Sequence, residues 1–277
     1  MLAEARLRND AFADEAVLLG AIADEAGALA AASTASVRGV GVGICEVVGL
    51  DGEIASSTTF GWTRADLEDV LSSIGPLTVD GDVCAAARAE GVFGAGKAFP
   101  TFGYVTVGTG ISSTFVREGE PWVGAHGAAQ LLGSSNVTLP CPHCGETVDL
   151  SLEDVSSGRG IVGRYREHSS AEVRGADDVL AAASAGDETA ARIAADATRT
   201  LGSFLALFID LVDPHALVVG GGLWVGDEGF RTRALDACRA RIWATAARDV
   251  PILVGALGRN AGAIGAAWSV LAGARTG

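Results

Sequence analysis

Two clusters of glycine, each placed directly after an apolar, strand-like run, constrain this chain more than any other feature. The first cluster follows the run 104–107 and consists of Gly108, Thr109 and Gly110, with Ser112 just beyond it. The second follows the run 216–219 and consists of Gly220, Gly221 and Gly222. Glycine lets backbone N–H groups wrap an anion, and three glycines after a buried strand let a flat ligand lie against the backbone. Either cluster alone also fits an ordinary tight turn, but together they favour a ligand site.

Strand-like and helix-like segments alternate along the rest of the chain. Apolar spacing predicts helices over residues 1–32, 65–73, 189–212, 228–247 and 262–273, and one that begins at Asp82. Runs rich in β-branched residues predict strands over residues 37–44, 77–79, 102–107, 111–116 and 216–219. This alternation predicts an α/β fold.

Charge and composition exclude several classes of protein. The 277 residues hold 20 Lys and Arg against 34 Asp and Glu, a net charge of −14, so no nucleic-acid footprint is expected on this chain. No apolar run is long enough for a transmembrane helix, and the N-terminus does not resemble a signal peptide. Five cysteines in a chain of this length indicate a reducing cytoplasm rather than a disulfide framework.

Asp82 lies where a predicted strand ends and a helix begins. A carboxylate in that position can accept a proton from a substrate hydroxyl. The alternative, which the local sequence alone favours, is a helix N-cap.

Cys141 and Cys144 form a Cys-x-x-Cys pair in the loop CPHCG. Two thiolates at this spacing supply half of a tetrahedral structural Zn²⁺ site, and His143 or His126 is available as a further ligand. The alternative is a pair of reduced cysteines in a tight turn. The remaining cysteines lie in apolar segments and are expected in the core: Cys45, Cys84 and Cys238.

These segments, taken in order, resemble one family over most of the chain. The matching pieces are GVGVGI (39–44), FGW (60–62), VDGDVCAAARAE (79–90), YVTVGTGIS (104–112), GEPWVGAHGAA (119–129), CPHCG (141–145), LEDVSSGRGI (152–161), DPHALVVGGGL (213–223) and NAGAIGAA (260–267). The chain resembles the ROK family of sugar kinases and transcriptional repressors. That resemblance implies a two-lobed actin-like ATPase fold of the RNase H-like kind.

The resemblance also implies roles for individual residues. Asp82 matches the general base that deprotonates a sugar hydroxyl, and Gly81 and Glu153 match positions beside the sugar. The first glycine cluster matches the family's second phosphate loop, and the second cluster matches the loop on the adenosine side. The implied cofactors are ATP and Mg²⁺. The implied partners are a small-molecule sugar and a second copy of the chain in a homodimer, with no membrane and no nucleic acid.

The chain departs from the family pattern in two ways. The family's opening Asp-x-Gly-Gly-Thr phosphate loop has no counterpart here, which predicts a truncated N-terminal lobe. Gly81 stands for an Asn and Leu131 for a sugar-binding Glu, while Ser134 and Ser151 stand for zinc ligands. These changes predict an impaired kinase. The alternatives are a non-catalytic sugar sensor and a misplaced start codon with the missing strands encoded upstream.

The expected domain organisation follows from the same resemblance. An N-terminal lobe is predicted over residues 1–83, completed by the helix 262–277, and a larger C-terminal lobe over residues 84–261. The cleft between the lobes is the expected place for nucleotide and sugar.

Overall fold

The structure, a computed structural model, describes residues 3–129, 131–141 and 144–273. The strands in these residues are β1 Val40–Ile44, β2 Leu77–Gly81, β3 Thr101–Val107, β4 Ile111–Arg117, β5 Glu120–Pro121, β6 Asn136–Pro140, β7 Thr147–Ser151, β8 Ala216–Gly220 and β9 Ile252–Val254. The α-helices are α1 Glu15–Ala32, α2 Arg64–Leu71, α3 Asp82–Phe93, α4 Leu152–Ser156, α5 Gly158–His168, α6 Ala176–Ser184, α7 Glu188–Val212, α8 Gly222–Gly226, α9 Glu228–Arg239 and α10 Ala261–Gly273. None of these helices is both long and apolar enough to cross a bilayer.

The chain divides into two compact units. Unit 1 comprises the residues up to 89, the segment 123–129 and the residues from 260 onward, and unit 2 comprises 90–122 and 130–259. Unit 1 runs through Ala89 rather than ending at residue 83, because the first turns of α3 pack against α10.

Unit 1 is built on a two-stranded parallel sheet. Strands β1 and β2 pair from Val40 opposite Leu77 to Ile44 opposite Gly81. Helices α1 and α2 cover the sheet with an apolar cluster whose most buried members are Leu19, Ile44, Leu67 and Val79. Burial of these side chains is the main force that holds the unit together.

The backbone of helix α10 is in close contact with the backbones of β1 and α3. A Cβ atom on Gly265 would lie 1.7 Å from the carbonyl oxygen of Ala85, and one on Gly41 would lie 2.0 Å from that of Ala266. Arg88 of α3 donates a hydrogen bond of 2.9 Å to Ser269 Oγ on α10 and forms an ion pair with Asp80. The absence of side chains at these two glycines is what allows the helix to dock.

Unit 2 is built on a five-stranded mixed sheet in the order β5-β4-β3-β8-β9. Strand β3 pairs antiparallel with β4 and parallel with β8, and β8 pairs parallel with β9. Helix α7 packs against α9, α6, α5 and α4 around a core whose largest buried side chains include Tyr165, Phe230 and Trp224. Strands β6 and β7 form a separate antiparallel hairpin.

Two helices differ from the sequence-based expectation. The predicted helix over residues 1–32 begins only at Glu15, because the Asp14 side chain accepts the N–H of Val17 and caps the helix there. The predicted helix over 228–247 ends at Arg239, whose guanidinium binds the carbonyls of Arg248 and Val250 and so holds a turn in place. Residues 240–247 do not continue the helix, and among them only Ile242 and Ala247 are buried.

Candidate functional site

Strand pairing brings the two glycine clusters together. In the parallel register of β3 and β8, Thr106 lies opposite Gly220. Gly221 has φ +92°, and a Cβ atom there would lie 2.3 Å from the carbonyl oxygen of Val107. A Cβ atom on Gly108 would lie 3.4 Å from the backbone nitrogen of Gly222. The clusters are therefore neighbours, and glycine at position 221 is required by both conformation and space.

A cavity of about 490 Å³, called here the donor cavity, opens beside these clusters in unit 2. It is lined by two residues of the first cluster, by one face of α5, by the loop that leads into α6 and by the starts of α6 and α8: Gly108, Thr109, Gly158, Arg159, Val162, Gly163, Arg166, Arg174, Gly175, Ala176, Asp177, Gly222 and Leu223.

The predicted cofactor-binding residues are placed differently around the donor cavity. Gly108, Thr109 and Gly222 line it, and Gly220 and Gly221 immediately precede Gly222 in the chain. The other two, Gly110 and Ser112, are not in its lining. Gly110 faces the side chain of Glu153, and Ser112 lies half-buried within β4 opposite Thr106.

The first residues of α5 form hydrogen bonds with the first glycine cluster. The N–H groups of Gly158 and Arg159 donate to the carbonyl oxygens of Gly108 and Thr109, at 2.7 and 3.1 Å. The Ser157 side chain caps the helix by accepting the N–H of Gly160. These bonds fix the cluster to a helix that the alternation of strands and helices did not predict.

Three arginines surround the donor cavity although the chain as a whole is acidic. Arg159, Arg166 and Arg174 line it, and two of them form ion pairs with acidic side chains, Arg159 with Glu153 and Arg174 with Asp178. Guanidinium groups bind phosphate oxygens in a fixed fork geometry. Together with the glycine backbone, they make the cavity suited to an anionic ligand. Sequence reasoning assigned no role to any of the three: Arg159 lies within a matching family segment, but nothing in the sequence indicated that Arg166 and Arg174 lie close to it.

Glu153, predicted to contact substrate, lies on α4 beside the first cluster. Its Oε2 accepts the N–H of Ile111 at 2.7 Å, and its Oε1 is bound by the guanidinium of Arg159. A Cβ atom on Gly110 would lie 2.5 Å from Glu153 Oε2. The third residue of the Gly-Thr-Gly cluster is therefore a glycine to admit this carboxylate.

In the described part of the chain, the residues at the positions where the family resemblance implies zinc ligands make other contacts. Ser151 caps α4 in a reciprocal capping box with Asp154, and Ser134 ends a short 3-10 turn. The N–H of Gly145 donates to the carbonyl oxygen of Cys141 at 3.0 Å, and His143 lies outside the described residues. Among the residues described, no three His, Cys, Asp or Glu side chains cluster as a metal site would require. The described residues therefore do not fit a four-ligand Zn²⁺ site, and the proposed pair stays a prediction.

Asp82, the predicted base, is the first residue of α3 in unit 1. It lines a second cavity of about 460 Å³, whose other lining is mainly apolar, including Leu18, Ile44 and Phe60. Burial raises the pKa of the Asp82 carboxyl, the N–H of Val83 lowers it, and the charge of Asp80 raises it again; the net shift is upward. A carboxylate with a raised pKa is a stronger proton acceptor than a solvated one.

Gly81, which precedes the predicted base, lies at the end of β2 with free space beside it. A Cβ atom there would meet nothing closer than the carbonyl oxygen of Glu46, at 3.7 Å. A Cβ atom fits at this position in ordinary van der Waals contact.

Solved structures share this fold over nearly the whole chain. The ROK hexokinase from Thermus thermophilus superimposes with a TM-score of 0.75 and 27% sequence identity, covering 94% of this chain and 87% of that one. A ROK family glucokinase from Streptomyces griseus, solved with glucose and AMPPNP, gives a TM-score of 0.73 at 25% identity, covering 93% and 88%. The predicted class, an α/β protein of the actin-like ATPase fold, is confirmed.

The sequence comparisons assign the family. The model of the ROK family matches residues 2–272, so the chain belongs to the ROK family. The glucokinase of Halalkalibacterium halodurans is 28% identical over 258 residues, which is 86% of this chain and 77% of that relative. A family match from residue 2 onward does not support the predicted truncation of the N-terminal lobe.

Proposed function

We propose that this protein is a glucokinase-like sugar kinase that transfers the γ-phosphoryl group of ATP to a sugar hydroxyl. The observation that carries the proposal is the donor cavity, in which two glycine clusters and three arginines converge in a chain that belongs to the ROK family. The similarity to a glucokinase solved with glucose and AMPPNP supports both substrates. The family resemblance further supports a homodimer, which light scattering tests.

The residues that line the donor cavity would bind ATP and orient its phosphates. ATP supplies the transferable phosphoryl group, and Mg²⁺ neutralises part of its charge. Backbone groups of Gly108 and Gly222 lie where a flat or anionic ligand can approach closely, and the arginines compensate phosphate charge.

Asp82 is proposed to accept the proton of the attacking hydroxyl. Its half-buried position and raised pKa favour proton uptake as the oxygen attacks phosphorus. Because a base acts in its ionised form, we expect kcat/KM to rise with pH through the raised pKa of this carboxyl. Gly81 and Glu153 are proposed to lie on the sugar side, as the family resemblance implies.

An Asp82→Asn variant tests the proposal. We expect turnover of ATP with glucose to fall by about 10²–10⁴-fold, because the amide cannot accept the proton. The matched control is Asp69→Asn, the same change at an exposed position of α2 in the same unit. ATP-dependent turnover measured in a coupled assay over a panel of hexoses and amino sugars decides it. Full activity of Asp82→Asn contradicts the role of this residue.

We further infer that turnover is slow. The sequence contains no Asp-x-Gly-Gly-Thr phosphate loop, and Leu131, an exposed side chain, stands where the family has a sugar-binding glutamate. Positioning of the phosphates supplies most of the catalysis in phosphoryl transfer, so a missing contact lowers kcat. A kcat within the range of about 1–100 s⁻¹ typical of kinases contradicts this inference.

The same two departures favour a second candidate, a sugar sensor without turnover. A sensor binds sugar measurably in a calorimeter but gives no phosphorylated product with ATP and Mg²⁺. Turnover that depends on Asp82 rules it out.

A further inference from the structure

The carboxylate of Glu153 and the donor cavity share one guanidinium group, that of Arg159. The Arg159 side chain lines the donor cavity, and it also forms an ion pair with Glu153 Oε1. Arg159 thus faces an acidic partner in the protein on one side and the space for an anionic ligand on the other.

We propose that Arg159 is a positioning residue that exchanges partners, leaving Glu153 when a polyphosphate donor enters the donor cavity. The proposal deepens the proposed function, because it takes the donor to be a nucleoside triphosphate. Its consequence is that donor binding releases one oxygen of Glu153, which then becomes available to a sugar hydroxyl.

The exposure of the pair makes such an exchange easy. The Arg159 side chain is 68% exposed and that of Glu153 is 26% exposed. Ion pairs with so exposed a partner contribute little stability, whereas phosphate oxygens in a fork geometry bind guanidinium strongly. A triphosphate therefore competes well for Arg159.

The backbone around the pair remains fixed while the side chain moves. The N–H of Arg159 is bonded to Thr109, and Glu153 Oε2 is held by the N–H of Ile111. Only Oε1 of Glu153 and the guanidinium change partners. Glu153 therefore keeps its position and gains an acceptor site, which couples the donor cavity to the residue on the sugar side.

Binding of AMPPNP, measured by calorimetry in the absence of sugar, tests the exchange directly. In Glu153→Gln, the amide oxygen can still accept the N–H of Ile111, but Arg159 no longer has a charged competitor. We expect this variant to bind AMPPNP about two- to fivefold more tightly than wild type, the range that an exposed ion pair supplies. Arg159→Met is expected to weaken binding by about tenfold. Glu167→Gln, the same change at an exposed site of α5 outside the cavity lining, is the control.

The double variant separates exchange from simple charge repulsion. If Glu153 only repels the donor, Glu153→Gln should tighten AMPPNP binding at least as much in the Arg159→Met background as in wild type. If Glu153 competes for Arg159, Glu153→Gln should tighten AMPPNP binding less when Arg159 is absent. Equal or larger gains in the Arg159→Met background overturn the proposal.

Sugar binding gives an independent readout. Because coupling is reciprocal, AMPPNP is expected to tighten glucose binding in wild type and to lose this effect in Arg159→Met. If wild type binds AMPPNP and Glu153→Gln binds it with the same affinity, this inference is overturned and the proposed function still stands. Failure of wild type to bind AMPPNP overturns both.

Discussion

At the scale of single residues, Glu46 is a buried acid in unit 1 that several hydrogen bonds hold in place. It is only 7% exposed, and its carboxylate accepts hydrogen bonds from Ser56, Thr58 and Phe60, among others. Burial alone raises the pKa of this carboxyl, but the hydrogen bonds outweigh it and lower the pKa from 4.5 to about 2. The ionised carboxylate therefore organises the loop that follows β1.

Because the pKa of Glu46 is lower in the folded state, its stabilisation is present above about pH 4.5 and is lost as the pH falls toward 2. We expect Glu46→Gln to lower the free energy of unfolding by about 2 kcal/mol at pH 7, because its NH₂ group faces donors. The deficit should shrink between pH 4.5 and 2, as urea denaturation would measure. Glu53→Gln, at an exposed position nearby, is the control. A deficit that is constant over this pH range contradicts the role of ionisation.

Gly81 offers a test of substrate recognition at one residue. Since a Cβ atom there meets nothing closer than 3.7 Å, we expect Gly81→Asn to fold normally. If the position faces the sugar, a new hydrogen bond should lower KM for the sugar by up to about tenfold. Steady-state kinetics with glucose, accompanied by thermal unfolding, measures this. An unchanged KM with an unchanged unfolding temperature places Gly81 away from the sugar.

At the scale of elements, α10 depends on the absence of a side chain at Gly265. A Cβ atom there would lie 1.7 Å from the backbone oxygen of Ala85, so Gly265→Ala must push the helix away. We expect a loss of about 1–3 kcal/mol in the free energy of unfolding of unit 1. Gly20→Ala is the matched control, since it makes the same change inside α1 with nothing within 4 Å.

The two alanine variants should change the free energy of unfolding in opposite directions. Gly20→Ala is expected to stabilise by about 0.5–1 kcal/mol, because alanine favours helix. Denaturant unfolding of both variants gives the comparison. Equal stabilities would show that α10 does not pack as described.

The spacing of apolar residues predicted most of the strands and helices, but it did not predict which of them are neighbours in the fold. The strand before Gly108 and the strand before Gly220 were each visible as apolar runs, and both exist. That they are adjacent depends on the register of β3 with β8, which is set by long-range packing. Glu153 and Arg159 lie on two different helices, and the contact between their side chains depends on how these helices pack, so sequence reasoning named Glu153 but not its partner.

At the scale of the whole molecule, the net charge of −14 sets what the surface can bind. Nucleic-acid affinity comes largely from neutralising phosphates with Lys and Arg, of which this chain has 20 against 34 acidic residues. We expect no binding of labelled duplex DNA by fluorescence anisotropy, even at low salt. Binding that weakens steeply with added salt contradicts this expectation and would indicate a basic surface.

The contact between Arg88 and Ser269 also bears on how the chain is made. These residues are 181 positions apart, so a ribosome adding about 5–20 residues per second finishes α10 roughly 10–40 s after α3. Most of unit 2 is synthesised within that interval and can complete its core first. The nascent β1–β2 sheet waits meanwhile with one face uncovered, which makes it the segment that chaperones are most expected to protect during translation.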